Sequence, residues 1–408
     1  MPVLNRIISF SKLNFLNHFQ RKFALYESNL YSCNMQIHIE NKTPLNINKT
    51  SILQQTAFWS QVKRNQGLDS KAFDIKVRSS DLVTASPPLH YILDDVLILF
   101  QEIGDGCQIG YVPYGPTIKP HDEIKGTFLE ELSESLRPHL PQQCILLRWD
   151  LLWESLWAKD DNYYDDHGNW LGPPATTNQE IRLNFETENW NLKKANTDIL
   201  PSDTIFIDLN KDTDQLLKAM KSKTRYNVRL SQRKGVRVRR TDLHDLGIWY
   251  NLYRETCERN KICLHNMNYF QAVLATHVSN AKSPADVELL IAEVDHTPLA
   301  AMFLVFSGQR ATYLYGASSS RNRHFMATYA LQWEAIKRAH ERGCAEYDMF
   351  GVAPHPDPGH PLYGLYRFKS GFGGHLFHRM GCWDYPLNME KYEQYVTAEM
   401  HSQGYHLR

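Results

Sequence analysis

One lysine near the C-terminal end of the chain has unusual neighbours. The segment LYGLYRFKSGFGG, residues 362–374, places Lys369 among Tyr366, Phe368, Phe372 and four glycines. An ammonium group loses hydration energy in such surroundings unless a negative charge comes to meet it. The segment therefore predicts a site at which Lys369 meets an anion. The alternative is a surface lysine whose aliphatic stem covers the aromatic rings.

A second stretch concentrates positive charge. The segment KSKTRYNVRLSQRKGVRVRR, residues 221–240, contains nine basic residues and no acidic one, in a chain whose 45 basic and 45 acidic residues cancel. In a helix Arg225, Arg229 and Arg233 lie on one face, because they are four residues apart. A local basic face in a neutral chain indicates a phosphate-bearing partner. The alternative is a solvated face without a ligand.

Two further segments are weighed as ligand sites. The turn Ser318–Arg323 joins a predicted strand to a predicted helix, where acyl-CoA acetyltransferases offer backbone amides to a pyrophosphate. It contains no glycine, and this disfavours close approach of a CoA pyrophosphate. His355, Asp357 and His360 lie in a proline-rich loop without a fourth ligand nearby, so we predict no metal site. No nucleophile elbow, zinc-protease motif or phosphate-binding loop occurs.

The elements that must position these residues alternate along the chain. Periodicity and turn signals predict a mixed α/β (α+β) fold with a largely antiparallel sheet and two domains. The predicted helices are 51–67, 126–137, 212–233 with Asp212 as its cap, 244–259, 267–279 and 326–342. The predicted strands are 91–103, 107–116, 144–153, 203–210, 236–240, 287–294, 298–308, 310–318 and 345–352, and 160–178 is a loop.

The N-terminal region and the cysteines bear on location. Residues 1–50 are predicted to be an extension, and those before Met35 to be a disordered tail or a start-site artefact. They contain neither a continuous apolar core nor a signal cleavage site, and no stretch reaches the ~20 apolar residues of a spanning helix. Seven scattered cysteines indicate reduced thiols. We therefore expect a cytoplasmic protein.

Four segments together resemble the FemXAB family of peptidoglycan-bridge aminoacyltransferases. They are KTRYNVRLSQRKGV, YLYGASSSRNRHFMATYALQWEAIKRA, GCAEYDMFGV and HPLYGLYRFKSGFGG. The resemblance is dense over 205–380 and weaker over 51–150, where FWSQVK and YVPYGP are similar to first-domain motifs. It implies two tandem acetyltransferase-like (GNAT) domains with a cleft between them. The implied domains are 51–208 with 378–408, and 209–377, without an inserted helical arm.

The resemblance also implies a reaction and its partners. Members of this family move an amino acid from aminoacyl-tRNA to the side-chain amine of the third residue of the muramyl pentapeptide. The acceptor is lipid-linked or carried on UDP, and a lipid-linked acceptor implies peripheral contact with a membrane. No cofactor and no metal are implied.

By the same resemblance, several residues receive roles. Lys369 stabilises the oxyanion that forms on the ester carbonyl, with Phe368 shaping the site. Arg225, Arg229 and Arg233 are the candidates for tRNA phosphates.

The acceptor side is implied by four matched positions. Lys63 matches the position that holds the nucleotide-sugar phosphates. The substrate-contacting tyrosines are Tyr269, Tyr313 and Tyr315. His265 stands where the family has an arginine, which would weaken a bidentate grip on phosphate. For the tyrosines, packing within the core is the alternative.

One acceptor position departs from the family pattern. Lys119 stands in place of an acidic residue after YVPYGP, and Asp122 or Glu123 are possible substitutes for recognising the acceptor amine.

Two other functions stay open from the sequence. One is an acyl-CoA-dependent N-acetyltransferase, which the glycine-free turn at 318–323 disfavours. The other is a non-catalytic RNA-binding protein that keeps the fold and the basic helix. The lysine in its aromatic segment favours catalysis over this second alternative. The oligomeric state and the identity of the transferred amino acid do not follow from the sequence.

Overall fold

The computed structural model describes residues 35–83, 90–261 and 264–401. The chain divides into two compact units, Met1–Gln36 and Ile37–Arg408, and every element given below belongs to the second. The prediction for residues 1–34 lies outside the described residues. Within the described ranges, no helix is long and apolar enough to cross a membrane.

Thirteen strands and ten α-helices form within the described residues. The strands are β1 (Ile37–Lys42), β2 (Asp69–Arg78), β3 (Tyr91–Gly104), β4 (Cys107–Val112), β5 (Cys144–Glu154), β6 (Lys193–Lys194), β7 (Asp203–Asp208), β8 (Arg237–Thr241), β9 (Asp286–Val294), β10 (Thr297–Ser307), β11 (Arg310–Ser318), β12 (Glu346–Gly351) and β13 (His375–Pro386). The helices are α1 (Ala57–Asn65), α2 (Lys125–Leu136), α3 (Thr176–Asn184), α4 (Thr213–Ala219), α5 (Ser222–Arg233), α6 (Leu246–Asn260), α7 (Met267–Ala275), α8 (Ala327–Glu341), α9 (Tyr363–Lys369) and α10 (Met389–His401).

One sheet runs through the second unit. Its strand order is β1-β2-β3-β4-β5-β13-β7-β12-β11-β10-β9-β8, with β6 paired to β13 off this path. Neighbours are antiparallel except for the pairs β4–β5 and β11–β12. The predicted fold class, mixed α/β with a largely antiparallel sheet, is therefore confirmed.

The last strand joins two parts of this sheet. The residues His375–His378 pair with β7, and the residues from Arg379 to Pro386 pair with β5. The division into two tandem domains stays a prediction. The structure adds that the strand crossing the predicted boundary near 378 is shared by both parts.

Apolar side chains pack on both faces of the sheet around β10. Alternate residues of β10 face opposite ways, as strand geometry requires. Met302 and Leu304 pack with α8 and Val228 of α5. Phe303 and Val305 pack with α6, α7 and α1. The second cluster extends to Leu97 and Leu99 of β3, so α1 and β3 share a core with α6 and α7.

Several sequence predictions differ from the structure. The helix predicted over 212–233 is two helices, α4 and α5, because Met220 is extended and buried and the Lys221 amide donates to the Gly371 carbonyl. Asp212 does cap α4, in a capping box with Gln215. The predicted N-terminal extension is wrong for 37–50, because β1 pairs with β2 and Ile47 is buried.

The sequence also left some elements unassigned. They are β1, β2, β6, β13, α3, α9 and α10. Two of these elements matter for the site. α9 ends at Lys369, and β13 is the strand that pairs with both β5 and β7.

Candidate functional site

Lys369 is the last residue of α9 and is buried, with 4% of its surface exposed. Its ammonium donates hydrogen bonds to the carbonyl oxygens of Phe350 at 3.1 Å and Gly351 at 2.8 Å. The Tyr313 ring lies below it, 5.1 Å from Nζ to the ring centroid. The alternative of a surface lysine is therefore wrong.

The burial of Lys369 changes its protonation. Loss of hydration lowers the pKa of the Lys369 ammonium to about 7, and the negative charge of Asp348 offsets only part of that effect. No carboxylate in the described part of the chain forms a salt bridge with it. Near neutral pH the side chain is thus balanced between its charged and neutral forms.

The two strands next to Lys369 separate at this point. β11 and β12 pair in parallel only from Arg310 to Thr312 and from Glu346 to Asp348. Beyond these residues β12 continues to Gly351, whose register partner is Thr204 of β7. The ammonium of Lys369 lies between the separating ends, since it contacts β12 carbonyls and a β11 ring.

Asp348 holds the backbone that binds Lys369. Its Oδ1 accepts hydrogen bonds from the Thr204 hydroxyl at 2.5 Å and from the Phe350 amide at 2.8 Å. Phe350 has a positive φ of 59°, a strained region for a bulky residue, and these bonds support it there. Asp348 therefore presents the two carbonyls to the ammonium.

Phe368 takes part in an aromatic cluster. Its ring lies 5.3 Å from the ring of Phe372 and 5.1 Å from that of Tyr329, centroid to centroid. Successive residues of a helix point to different sides, so Phe368 and Lys369 have different neighbours. Phe368 forms a wall of the α9 segment, and Tyr313 is the ring that Lys369 contacts.

A second cluster unites four residues that the resemblance singled out. The hydroxyls of Tyr269 and Tyr315 lie 2.9 Å apart, and the His265 ring stacks on the Tyr269 ring at 4.2 Å. The Lys63 ammonium lies 5.2 Å from the Tyr269 ring centroid. It also lies 4.9 Å from the Trp59 ring. These contacts build one polar and aromatic surface from α1, α7 and β11.

Lys63 is partly buried in this cluster. Burial lowers the pKa of its ammonium to about 8. The ammonium donates to the Gln66 side chain at 2.9 Å, and Gln66 in turn donates to the Tyr269 carbonyl at 3.1 Å. Trp59 and Gln66 were not identified from the sequence, although both lie within four residues of Lys63 on or just after α1.

An irregularity in β11 separates Tyr313 from Tyr315. The register between β10 and β11 shifts at this point, with Phe303 opposite Tyr315 and Leu304 opposite Tyr313. Such bulges redirect side chains. Tyr313 packs on the α8 side of the sheet and Tyr315 on the α6 side. The same short stretch of strand therefore serves both clusters.

The basic helix begins beside the lysine segment. Lys221, just before α5, donates to the Gly371 carbonyl at 2.8 Å through its amide and to the Ser370 hydroxyl at 3.2 Å through its ammonium. A side chain on Gly371 would collide with the Thr224 hydroxyl, 2.1 Å away. This close contact ties the start of α5 to the two residues after Lys369.

The three arginines of α5 have different environments. Arg225 is half-buried and donates to the carbonyls of Lys218 and Met220, so it stabilises the break between α4 and α5. Arg229 and Arg233 are exposed, and no acidic side chain in the described residues pairs with them. These two remain available to an anion.

The turn after β11 is already occupied by the protein's own side chains. Glu255 accepts from the Ser320 amide at 2.6 Å, and Arg259 donates to the Ser318 carbonyl at 2.9 Å. A carboxylate at the turn amide would repel a pyrophosphate. This geometry argues further against a CoA site there.

The candidates for recognising the acceptor amine already have partners within the protein. Asp122 pairs with Lys125 and Lys159, and Glu123 pairs with Arg182, so both carboxylates already have internal partners. Lys119 is exposed. Among the described residues, no group of three His, Cys, Asp or Glu side chains is arranged to hold a metal ion.

Sequence comparisons place the chain among known proteins. The model of the FemAB family matches residues 45–295 and 279–400. The lipid II:glycine glycyltransferase of Staphylococcus epidermidis is 25% identical over 256 residues, which cover 48% of this chain and 60% of the relative. That of Staphylococcus haemolyticus is 24% identical over 259 residues, covering 48% and 61%. The chain thus spans about three-fifths of the length of these curated relatives.

A solved structure shares the fold. The crystal structure of FemX superposes with a TM-score of 0.65 at 18% sequence identity, covering 88% of this chain and 100% of that chain.

Proposed function

Because the chain belongs to the FemAB family, we propose that it is an aminoacyltransferase of peptidoglycan cross-bridge synthesis. The donor is an aminoacyl-tRNA. The acceptor is the side-chain amine of the third residue of a muramyl pentapeptide, in lipid II or in a UDP-linked precursor. The names of the relatives, lipid II:glycine glycyltransferases, support a lipid II acceptor and the transfer of an amino acid.

The observation that carries the proposal is the hydrogen bonding of Lys369. An ammonium has three N–H donors. Two of them bind the carbonyls of Phe350 and Gly351, so one donor remains for a substrate oxygen. Because the site is buried and its dipoles are fixed, this donor stabilises a developing oxyanion more than a water molecule would.

The reaction then follows ordinary acyl transfer. The lone pair of the neutral acceptor amine attacks the ester carbonyl carbon, and the carbonyl π electrons move to the oxygen that Lys369 stabilises. Collapse of this intermediate breaks the bond to the ribose oxygen. That oxygen gains a proton and the new amide nitrogen loses one, so the proton balance is neutral.

The two partners are assigned to different surfaces. Exposed Arg229 and Arg233 on α5 suit the phosphates of the donor, because the helix starts beside the residues that follow Lys369. The cluster of Lys63, Tyr269 and Tyr315 suits the phosphates and sugar of the acceptor, since it offers a partly buried cation and two hydroxyls.

The domain organisation is part of the same proposal. We infer two tandem acetyltransferase-like domains, 51–208 with 378–408, and 209–377, that enclose the substrates. The sharing of β13 between β5 and β7 supports a junction at this point. A lipid-linked acceptor would bring the protein to a membrane surface.

The deciding experiment supplies a mixed pool of radiolabelled aminoacyl-tRNAs. The acceptors are UDP-muramyl-pentapeptide and its lipid-linked form, and acetyl-CoA is a parallel donor. We expect label on a muropeptide only with aminoacyl-tRNA, and the labelled product names the amino acid. Label from acetyl-CoA alone would overturn the proposal. Binding of tRNA without any transfer would support a non-catalytic RNA-binding protein instead.

A further inference from the structure

A cavity of about 210 Å³ is linked to the Lys369 site through Arg379 on its wall, whose Nη2 lies 3.6 Å from a carboxylate oxygen of Asp348. Its walls come from the start of β7, the loop after β12, the middle of β13 and the segment after β5. Three of its lining residues are Trp157, Trp170 and Trp383. The cavity is smaller than the roughly 300–1,000 Å³ of pockets that take a whole drug-sized ligand. It therefore fits one end of a larger molecule.

Arg379 on the wall of this cavity is a buried cation with few partners. It is 5% exposed, and its guanidinium carries five N–H donors. Among the described residues its side chain makes one hydrogen bond, from Nη1 to the Pro201 carbonyl at 3.3 Å, and one ion pair, from Nη2 to Asp348 at 3.6 Å. The rings of Tyr114, Phe206 and Phe377 lie 4.4, 5.5 and 5.8 Å from its guanidinium carbon, but they accept none of its N–H groups in the hydrogen bonds described.

A buried guanidinium with unused donors is unfavourable by itself. Burying a charge without full hydrogen bonding costs free energy, and the planar fork of arginine matches a carboxylate with two parallel bonds. The long contacts of Arg379 thus indicate a partner that the protein itself does not supply.

A second polar group on the same wall lacks a partner. The Nδ1 atom of His355 is buried and makes no hydrogen bond within the described part of the chain. His355 also lines the cavity. It follows Gly351, which binds Lys369, by four residues. The cavity wall therefore carries two polar groups with unused hydrogen-bonding capacity, Arg379 beside Asp348 and His355 four residues after Gly351.

We propose that this cavity binds the carboxylate end of the acceptor peptide, with Arg379 as its bidentate partner. The inference rests on the proposed function. In a five-residue stem acylated on its third residue, two residues separate the acceptor residue from the terminal carboxylate. Two extended residues span about 7 Å. The cavity thus holds the last two residues while the third residue stays outside, toward Lys369.

The walls suit this ligand. The indole rings and the nearby Leu156, Leu183 and Met380 are apolar, so they favour small apolar side chains beside the charged end. Arg182 and Lys194 also line the cavity, but they pair with Glu123 at 2.9 Å and Asp198 at 3.0 Å, whereas Asp348 lies 3.6 Å from Arg379. The carboxylate of Asp203, which also lines the cavity, pairs with His378 at 2.6 Å. Arg379 is therefore the cation that distinguishes a carboxylate from a neutral group.

The test compares four probes in ligand-observed NMR titrations of the full chain. They are N-acetyl-Ala-Ala as free acid and as C-terminal amide, each in the L,L and D,D forms. We expect at least one free acid to bind ten or more times tighter than its amide. Arg379→Gln should remove this preference. Arg182→Gln is the matched control, because it lines the same cavity, and it should keep the preference.

Two further arms keep the result decisive. Arg379→Lys retains the charge without the fork, so it should weaken binding of the acid even if Arg379→Gln fails to fold. Inorganic phosphate should not compete. Equal affinity for acid and amide, an acid preference that survives Arg379→Gln and Arg379→Lys, or competition by phosphate would each overturn the inference. If the labelling experiment shows transfer to a muropeptide but the free acid binds no tighter than the amide, the inference about Arg379 is wrong and the proposed function still holds.

Discussion

Two buried lysines of this protein differ in what holds their charge. Lys125, at the start of α2, is fully buried, and its ammonium lies 2.6 Å from a carboxylate oxygen of Asp122. Lys369 is almost as buried but binds two backbone carbonyls. Burial lowers the pKa of both, and hydrogen bonding and charge from Asp122 oppose the shift at Lys125.

The difference separates a structural role from a chemical one. A buried cation in direct contact with a carboxylate, as Lys125 is with Asp122 at 2.6 Å, has its charge balanced within the protein. In its protonated form, a buried ammonium held by neutral carbonyls has an uncompensated charge and one N–H for a ligand. Lys369 is therefore suited to a transient oxyanion, whereas Lys125 stabilises the turn before α2.

The largest expected effect is on turnover. Lys369→Met fills the volume but removes the charge and the donor, so we expect the single-turnover rate at saturating aminoacyl-tRNA to fall roughly 10²–10³-fold. Affinity for the acceptor should stay near that of the wild type, since Lys63, Tyr269 and Tyr315 are untouched. Lys125→Met is the matched control and should keep the rate. A wild-type rate in Lys369→Met would remove Lys369 from the mechanism.

The pH dependence tests which form of Lys369 acts. An ordinary acceptor amine has a pKa of about 10.4, so its reactive neutral fraction rises tenfold per pH unit up to that value. The charged fraction of Lys369 falls tenfold per unit above its pKa of about 7. The product of the neutral amine fraction and the charged Lys369 fraction therefore rises with pH up to about 7 and is constant above it.

We therefore expect kcat/KM, which reports free enzyme and free substrate, to stop rising near pH 7. This profile lies about twofold below one set by the amine alone at pH 7 and about a hundredfold below it at pH 9. Initial rates of transfer across pH 5.5–9 measure it. A rise that continues to pH 9 would show that protonated Lys369 is not required, and a slope of two below pH 7 would indicate a neutral Lys369.

The third prediction concerns stability. Asp122→Asn leaves the Lys125 ammonium buried without a carboxylate. Breaking a buried pair costs about 3–5 kcal/mol, and we expect about 2 kcal/mol here because Asp122 is one-third exposed. Urea unfolding measures the loss, and turnover should not change. Asp74→Asn is the control and should cost less, since Lys42 keeps a second carboxylate, Asp95.

The same pair predicts an acid dependence. Burial alone would raise the pKa of Asp122, but hydrogen bonds and charge from Lys125 and Lys159 outweigh it and lower the pKa to about 2. A lowered folded-state pKa means that the stabilisation is complete above the ordinary value of about 3.9 and is lost as the pH falls toward 2. The free energy difference between wild type and Asp122→Asn should therefore shrink over that window.

The sequence identified Lys369 but not its partners. Its aromatic neighbours in sequence, Phe368 and Phe372, pack with each other and with Tyr329, because adjacent helical residues point to different sides. The groups that hold the ammonium come from β11 and β12. The signal that was available is Asp348, an acidic residue within an apolar strand, which is expensive to bury without a purpose.

For secondary structure too, the sequence predicted what depends on local pattern and not what depends on tertiary contacts. The long helices and the strands β9 to β12 were predicted from local periodicity because burial on one face repeats along them. The break between α4 and α5 was missed, since it depends on Met220 entering the core and on a bond to Gly371. β2 does carry alternating apolar residues at Phe73, Ile75 and Val77, so its sequence signal was present.

The smallest expected effect extends the comparison to the basic run at 221–240. Arg239 pairs with Asp245 at 2.6 Å and Glu293 at 3.0 Å, whereas exposed Arg229 and Arg233 have no acidic partner among the described residues. If unpaired cations bind the donor, Arg229→Gln and Arg233→Gln should each raise KM for aminoacyl-tRNA about fivefold. Each should also lower the slope of log KM against log salt concentration by about 1, since one phosphate contact is lost. Arg239→Gln should change neither. KM for aminoacyl-tRNA is measured for each variant at two salt concentrations. If Arg239→Gln changes KM as much as the other two variants do, pairing with an internal carboxylate does not separate structural arginines from tRNA-binding ones on this surface.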